Sequence, residues 1–297
     1  MKYVPRPTSW IQGYRQGKRL VPALVVIYAI LLSGIVTSYR DQNYYSSLLF
    51  ALIAGVFTFW GLLVYSATRL CWQRGSSTVH LSRLRGGELA ATIGNRRLFV
   101  ILESLAYAYL GVTLVSFPFV MAMIPSSGTR TDARLRLLAL AMPVFGVVAL
   151  CWASGWLIRR RGELSVGLSP EGLYHWSRFG CCFYAWEQIR NVLPVALAYP
   201  TLDLVVVDPK KRQSKPEENF LAAWPIFRRY SRRIGLQYLN VNPCVVYLAI
   251  VFYLRHPELR HELASSDGVR RIQKLEFAEV LDELEATGTL RVASERS

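Results

Sequence analysis

Apolar and polar positions are distributed differently in the two halves of this chain. Four long apolar runs fill the first half, Leu20–Ser38, Tyr44–Leu70, Leu98–Ile124 and Leu135–Ile158. At about 1.5 Å of rise per residue, a run of about 20 residues crosses a hydrocarbon core roughly 30 Å thick, so the pattern predicts four membrane-spanning helices over about 20–38, 46–70, 98–124 and 135–158. Pro22 falls in the first turn of the first run, where a missing N–H costs little. Pro118 and Pro143 lie inside the third and fourth, where neighbouring helices can satisfy the freed carbonyls. Tyr44, Tyr45 and Trp72 bracket the second run as interfacial aromatics do.

Beyond Arg159-Arg160-Arg161 the period changes. Glu163–Leu168 alternates as a half-buried strand does, and Ser169-Pro170-Glu171-Gly172 is a turn with proline at its second position. Further strands are predicted at Leu173–Arg178, from Gly180 to Trp186, at Ile189–Ala198, at Leu202–Val207 and at Leu236–Val241. Asn242-Pro243 marks a helix start, with Asn as N-cap and Pro at the first helical position. The helix Cys244–Leu254 is too short to span and is expected in a core or at an interface. His256-Pro257 interrupts it, a second helical piece runs over Pro257–Leu263, and an amphipathic helix carries Phe277, Val280, Leu281 and Leu284 as far as Gly288. The predicted organisation is a basic tail (1–19), a four-helix transmembrane region (20–161), a small β-rich domain (162–263) and a C-terminal amphipathic helix and tail (264–297). The polar stretch Gln73–Arg97 reads as a solvated loop, with a short amphipathic turn on the membrane surface as the alternative for Val79–Leu84.

Charge gives the predicted spans a direction. Up to Arg161 there are 18 Lys and Arg against four acids, whereas the remainder holds 17 against 16, so nearly all of the net +15 lies among the apolar runs. Fourteen of those 18 flank one side of the spans, and only Arg40, Arg130, Arg134 and Arg136 flank the other. The positive-inside rule then puts both termini in the cytoplasm of a multi-pass protein of the inner membrane. Basic residues confined to short loops express topology, so no nucleic-acid partner is expected.

The strands with their SPEG turn, the Trp186–Ile189 step, the late strand running into Asn242-Pro243, and the apolar helix ending in His256-Pro257-Glu258-Leu259-Arg260 together resemble bacterial pleckstrin-homology-like domains that follow transmembrane helices. The resemblance covers roughly Glu163–Leu263. It implies a small bent antiparallel sheet plugged by a helix, and a module that binds protein or anionic lipid without catalysing a reaction. Phosphoinositide-reading relatives carry Lys and Arg at the first hairpin turn, and Ser169–Gly172 has none.

Candidate chemistry is sparse. No phosphate-binding glycine loop, nucleophile elbow or His-Glu-x-x-His helix is present, and the five cysteines show no zinc spacing, so neither an enzyme nor a cofactor or metal is expected. Glu103 is the acid inside a predicted span, close to its cytoplasmic end. In WPIFRRYSRR, a helix opened by Pro225 would gather Arg228, Arg229, Arg232 and Arg233 on one flank, with Trp224 at its start, a candidate surface for anionic lipid set against the ordinary reading of a charge run as a solvated face. The expected role is a membrane-anchored binding or scaffold module that meets a protein partner or anionic lipid. The alternative is a small transporter or an accessory subunit of one, with the soluble domain regulatory.

Overall fold

The computed structural model describes residues 6–65, 78–84, 87–94, 97–123, 130–158, 166–177, 180–196, 200–207 and 233–291. The chain divides into two units, one of helices (18–65 and 97–161) and one of sheets (1–17, 66–96 and 162–297). The sheet unit is therefore assembled from three separated stretches of sequence.

The helical unit contains α1 (Thr8–Arg40, whose first turns belong to the sheet unit), α2 (Tyr44–Tyr65), α3 (Arg97–Met123) and α4 (Arg130–Ile158). Asn43 caps α2, its Oδ1 accepting from the amide of Ser46 at 3.1 Å, and Gln42 turns the chain with a positive φ of 56°. Two helices, over Tyr44–Leu63 and Phe99–Met123, are long and apolar enough to cross a membrane. Val26–Arg40 and Ala139–Cys151 are shorter apolar stretches of α1 and α4. The outward side chains of this unit are apolar, among them Val36, Phe119, Leu140 and Val144, while Glu103, Ser104 and Thr113 are buried. That distribution is the reverse of a water-soluble bundle.

Small residues let these helices approach. A Cβ on Gly111 would lie 2.9 Å from the Gly146 carbonyl oxygen, and one on Gly146 would lie 2.8 Å from that of Gly111, so α3 and α4 meet backbone to backbone. Gly55 of α2 similarly makes room for the Tyr109 ring of α3. Tyr28 ties α1 to α2 by donating to the Ala54 carbonyl at 3.0 Å.

In the sheet unit, β1 (Arg6–Pro7) pairs with β10 (Leu290–Arg291). A five-stranded antiparallel sheet runs in the order β2 (Val79–Arg83), β3 (Leu89–Ile93), β4 (Val166–Leu168), β5 (Gly172–Ser177), β6 (Gly180–Ala185). A three-stranded sheet follows, β7 (Ile189–Ala196), β8 (Pro200–Val206), β9 (Arg233–Gly235). Against both packs α5 (Pro243–Arg255), in which every residue from Pro243 to Tyr253 is buried. A helix apolar on all sides needs such a seat, and one of 13 residues is too short for a bilayer. Asn242 caps it, accepting from the amide of Cys244 at 3.0 Å, with Pro243 in the first turn as expected. A 3₁₀ segment, Pro257–Ala264, then leads to α6 (Ser266–Lys274) and α7 (Ala278–Ala286). Val269 and Ile272 of α6, Phe277, and Val280 and Leu284 of α7 complete the same core.

The SPEG turn closes as expected, with amide to carbonyl bonds in both directions between Ser169 and Gly172. Gly172 is required there, because a Cβ would sit 2.3 Å from the Tyr184 carbonyl oxygen.

Several expectations are corrected. Val79–Arg83 and Leu89–Ile93 are paired strands of the main sheet where a solvated loop was expected, because β3 finds its second partner in β4, beyond α3 and α4, out of reach of any local pattern. The first residues do not form a separate basic tail: α1 starts at Thr8 rather than at Leu20, and Trp10 is 3 % exposed within the sheet unit's core. The β-rich unit is consequently not confined to 162–263, and the helices after 263 share its core. The last strand of the three-stranded sheet is Arg233–Gly235, and Leu236–Tyr238 is a 3₁₀ turn instead of a strand.

Candidate functional site

Of the residues singled out in the basic segment, Trp224, Arg228, Arg229 and Arg232 lie outside the described residues. Arg233 is described and belongs to strand β9, not to a helix. Its Nε lies 3.5 Å from the Asp203 carboxylate, its cross-strand partner in β8. This half-exposed pair sits on the outer face of the three-stranded sheet beside Leu193, Val205 and Val207, which are 45 %, 36 % and 66 % exposed. Leu193 and Val205 face outward because Val192, Leu202 and Leu204, their alternates, are buried in the core. The face joins exposed apolar side chains to a solvent-screened ion pair, which adds little to stability.

Glu103 lies in the second turn of α3, only 7 % exposed. The nearby hydroxyls are satisfied within the same helix: Ser104 donates to the Val100 carbonyl at 2.8 Å and Thr113 to that of Tyr109 at 2.9 Å. Glu103 is thus a buried ionisable group within α3.

In the sheet unit, residues 6–10 meet later parts of the chain through several polar contacts. Trp10 donates its indole N–H between two carbonyls, Val195 O at 3.1 Å and Thr201 O at 3.3 Å. Those two residues are themselves cross-strand partners in β7 and β8. The Trp10 ring meets Tyr247 of α5 edge to face, centroids 6.1 Å apart. Beside it, Ser9 donates to the Pro194 carbonyl at 2.7 Å and the Thr8 amide to that of Thr289 at 3.1 Å. Burying the indole contributes about 3 kcal/mol. Sequence reasoning missed this site, and its signal was a tryptophan just after Thr8-Ser9, a helix-start pair, well ahead of the apolar run.

A second junction joins the hairpin β2–β3 to the C-terminal half. The Asn240 amide donates to the Gly94 carbonyl at 2.9 Å, the Thr78 hydroxyl to that of Asn240, and the Gln273 side chain of α6 to that of Val79 at 2.8 Å.

At the other end of α5 a buried network holds the terminal helices. Tyr253 donates to Glu262 at 2.9 Å, and Arg271 clamps the same carboxylate at 2.5 and 3.2 Å while lying over the Phe252 ring. Burial, and then the hydrogen bond to Glu262, push the Tyr253 hydroxyl far above its ordinary range. The carboxylate of Glu262 in turn raises Arg271. Arg260 caps the C-terminal carbonyls of α5 at Tyr253 and Leu254 and reaches Glu187 at 3.1 Å. The Tyr253–Glu262–Arg271 part of this network is structural in character, whereas the Glu187 end of the Arg260 bridge is exposed.

Among the described residues, no group of three or more His, Cys, Asp or Glu side chains is placed to hold a metal ion. Comparison with protein-family models, with curated proteins and with solved structures gives no match to this chain.

Proposed function

We propose that this protein is a membrane-anchored binding or scaffold module, with two helical hairpins embedded in the bilayer and a single sheet unit on the cytoplasmic side that meets a protein partner or anionic lipid. One observation carries the reading. The sheet unit is built from three stretches, and the chain leaves it and returns to it twice, each time through a pair of long helices. If α1–α2 and α3–α4 each cross and recross, the three stretches share one side without any further assumption. The excess of Lys and Arg on that side makes it cytoplasmic. The apolar outward faces of all four helices fit lipid contact, and the interfacial aromatics Tyr44 and Tyr45 are exposed.

The binding role rests on the resemblance to bacterial pleckstrin-homology-like domains and on the exposed apolar face at Leu193, Val205 and Val207. The reading is tested with the full chain in native membranes, with a photoreactive residue at Leu193 or Val205 and a control at Phe119 on the outward face of α3. Adducts to protein or to anionic lipid from the sheet positions support the reading. Adducts to lipid from Phe119 with none from either sheet position contradict it.

A second reading, a small transporter or an accessory subunit, is favoured by the burial of Glu103. It requires Glu103→Gln to abolish a substrate-dependent flux in reconstituted vesicles while leaving helix content unchanged.

A further inference from the structure

The described tryptophans of the sheet unit are Trp10, Trp176 and Trp186, and they differ in what the indole N–H meets. Trp10 and Trp186 are buried and donate to backbone carbonyls, Trp186 to that of Ser169 at 2.9 Å. Trp176 is partly exposed, and none of the described residues accepts from its N–H. Its ring is nevertheless held. It stacks on Tyr174, with centroids 5.6 Å and planes 18° apart, and it lies against Gly167 of β4, where a Cβ would meet it at 3.1 Å. Tyr174 is fixed in turn by the Phe183 ring at 4.6 Å and by donating to Glu88 at 2.8 Å. Leu173 points into the main core, so Tyr174 and Trp176 stand on the opposite face of the sheet. A packed aromatic body with its donor left open is the form tryptophan takes at a membrane–water interface.

Strand register tells at which end of the sheet this ring lies. Gly167 pairs with both Thr92 and Tyr174, and Val166 with both Ile93 and His175. Across β4, β5 therefore runs parallel to β3, and Trp176 stands at the end where β3 stops and β4 begins. Only residues 94–96 separate β3 from α3, and residues 159–165 separate α4 from β4. From Ile93 to Arg97 an extended chain reaches no more than about 14 Å. If α3 crosses a bilayer, this end of the sheet comes to its headgroup layer.

We infer that Trp176 is a lipid contact of the sheet unit, its indole entering the headgroup layer of the bilayer that α3 crosses and donating to a phosphate or ester oxygen there. The inference rests on the membrane-anchored reading and adds which end of the sheet unit meets lipid. Headgroup oxygens above the first methylenes offer an acceptor beside apolar surface, the complement of a ring with an open N–H. Arg96, Arg97 and Arg159-Arg160-Arg161 lie in sequence at the same chain crossings, a charge that draws anionic headgroups.

The test uses the full chain in vesicles of phosphatidylethanolamine and phosphatidylglycerol, with photoreactive benzoylphenylalanine in place of Trp176, Phe119 or Asp282 in turn. Irradiation is expected to give lipid adducts at 176 and at 119, on the outward face of α3, and none at 282. Adducts at 119 with none at 176, or equal yields at 176 and 282, overturn the inference and leave the membrane-anchored reading standing. Absence of lipid adducts at 119 removes that reading and the inference with it. Should the probe at 176 alter the near-ultraviolet circular dichroism, wild type and Trp176→Phe are compared in the same lipids brominated near the headgroup end of their acyl chains. The emission difference between the two proteins is expected to shrink in the brominated vesicles, and a difference unchanged by bromine overturns the inference.

Discussion

Ile93 and Val166 face each other across β3 and β4, both fully buried, with the whole of α3 and α4 between them in the sequence. The main sheet therefore closes only after a helical hairpin has been made and the chain has come back. A fragment beginning at Gly162 lacks β2, β3 and Trp10, and it leaves Val166 and Leu168 paired with β5 alone, with the β3 side of β4 open. Such a fragment is expected to show no cooperative thermal transition. Co-expression with a second fragment carrying residues 1–161 is expected to restore one, monitored by near-ultraviolet circular dichroism.

Truncation on the seam measures its contribution. Ile93→Ala removes a fully buried side chain between strands and is expected to cost about 2–5 kcal/mol. Leu81→Ala, on the exposed side of β2, is expected to cost less than about 1 kcal/mol. Urea unfolding of the two variants in the same detergent compares them.

Bulk at the helix crossing acts on the other unit. Gly146→Leu places side-chain atoms where the Gly111 carbonyl and Val115 now lie, and α3 and α4 must separate. The expected loss is about 1–3 kcal/mol, seen as a lower melting temperature by helical ellipticity. Gly61→Leu, at a glycine with open space around it, is the control and is expected to leave the transition unchanged.

The Tyr253–Glu262 bond gives stability a predictable dependence on pH. Tyr253 has its hydroxyl pushed far above its ordinary value of 10.0 in the folded chain, so the unfolded chain gives up that proton first as the pH rises. The contribution is complete below pH 10 and is lost progressively above it. The wild-type melting temperature is therefore expected to fall from about pH 10 upward, and Tyr253→Phe is expected to flatten that limb. At neutral pH the variant costs about 1 kcal/mol, the worth of one hydrogen bond.

Features set by neighbours in sequence were legible, and features set by distant partners were not. Ser169–Gly172 and Asn242-Pro243 carry their geometry within four residues, and both turn and cap are where the residues put them. The all-apolar stretch Cys244–Leu254, too short to span, announced a core or interfacial helix, and it is the core that takes it. In contrast, Leu89–Ile93 reads LAATI, whose two alanines are weak strand formers. Only its pairing with β4 makes it a central strand. Arg233 was grouped with the arginines before it because charge runs in sequence, yet its cross-strand register with Asp203 fixes it in β9. Trp10 looked like part of a basic tail, since the carbonyls that receive it lie at 195 and 201.

Sidedness is the measurement that bears most directly on the central claim, that one body gathers three stretches on one face of a bilayer. Single cysteines at Asn43, in the α1–α2 turn, at Arg83 in β2 and at Asp282 in α7, each in a chain freed of its native cysteines, are treated with an impermeant maleimide on intact, right-side-out cells. The account predicts labelling at position 43 before lysis and at positions 83 and 282 only after it. Labelling of 83 and 282 from opposite sides, or no shift in sidedness between 43 and 83, would contradict it.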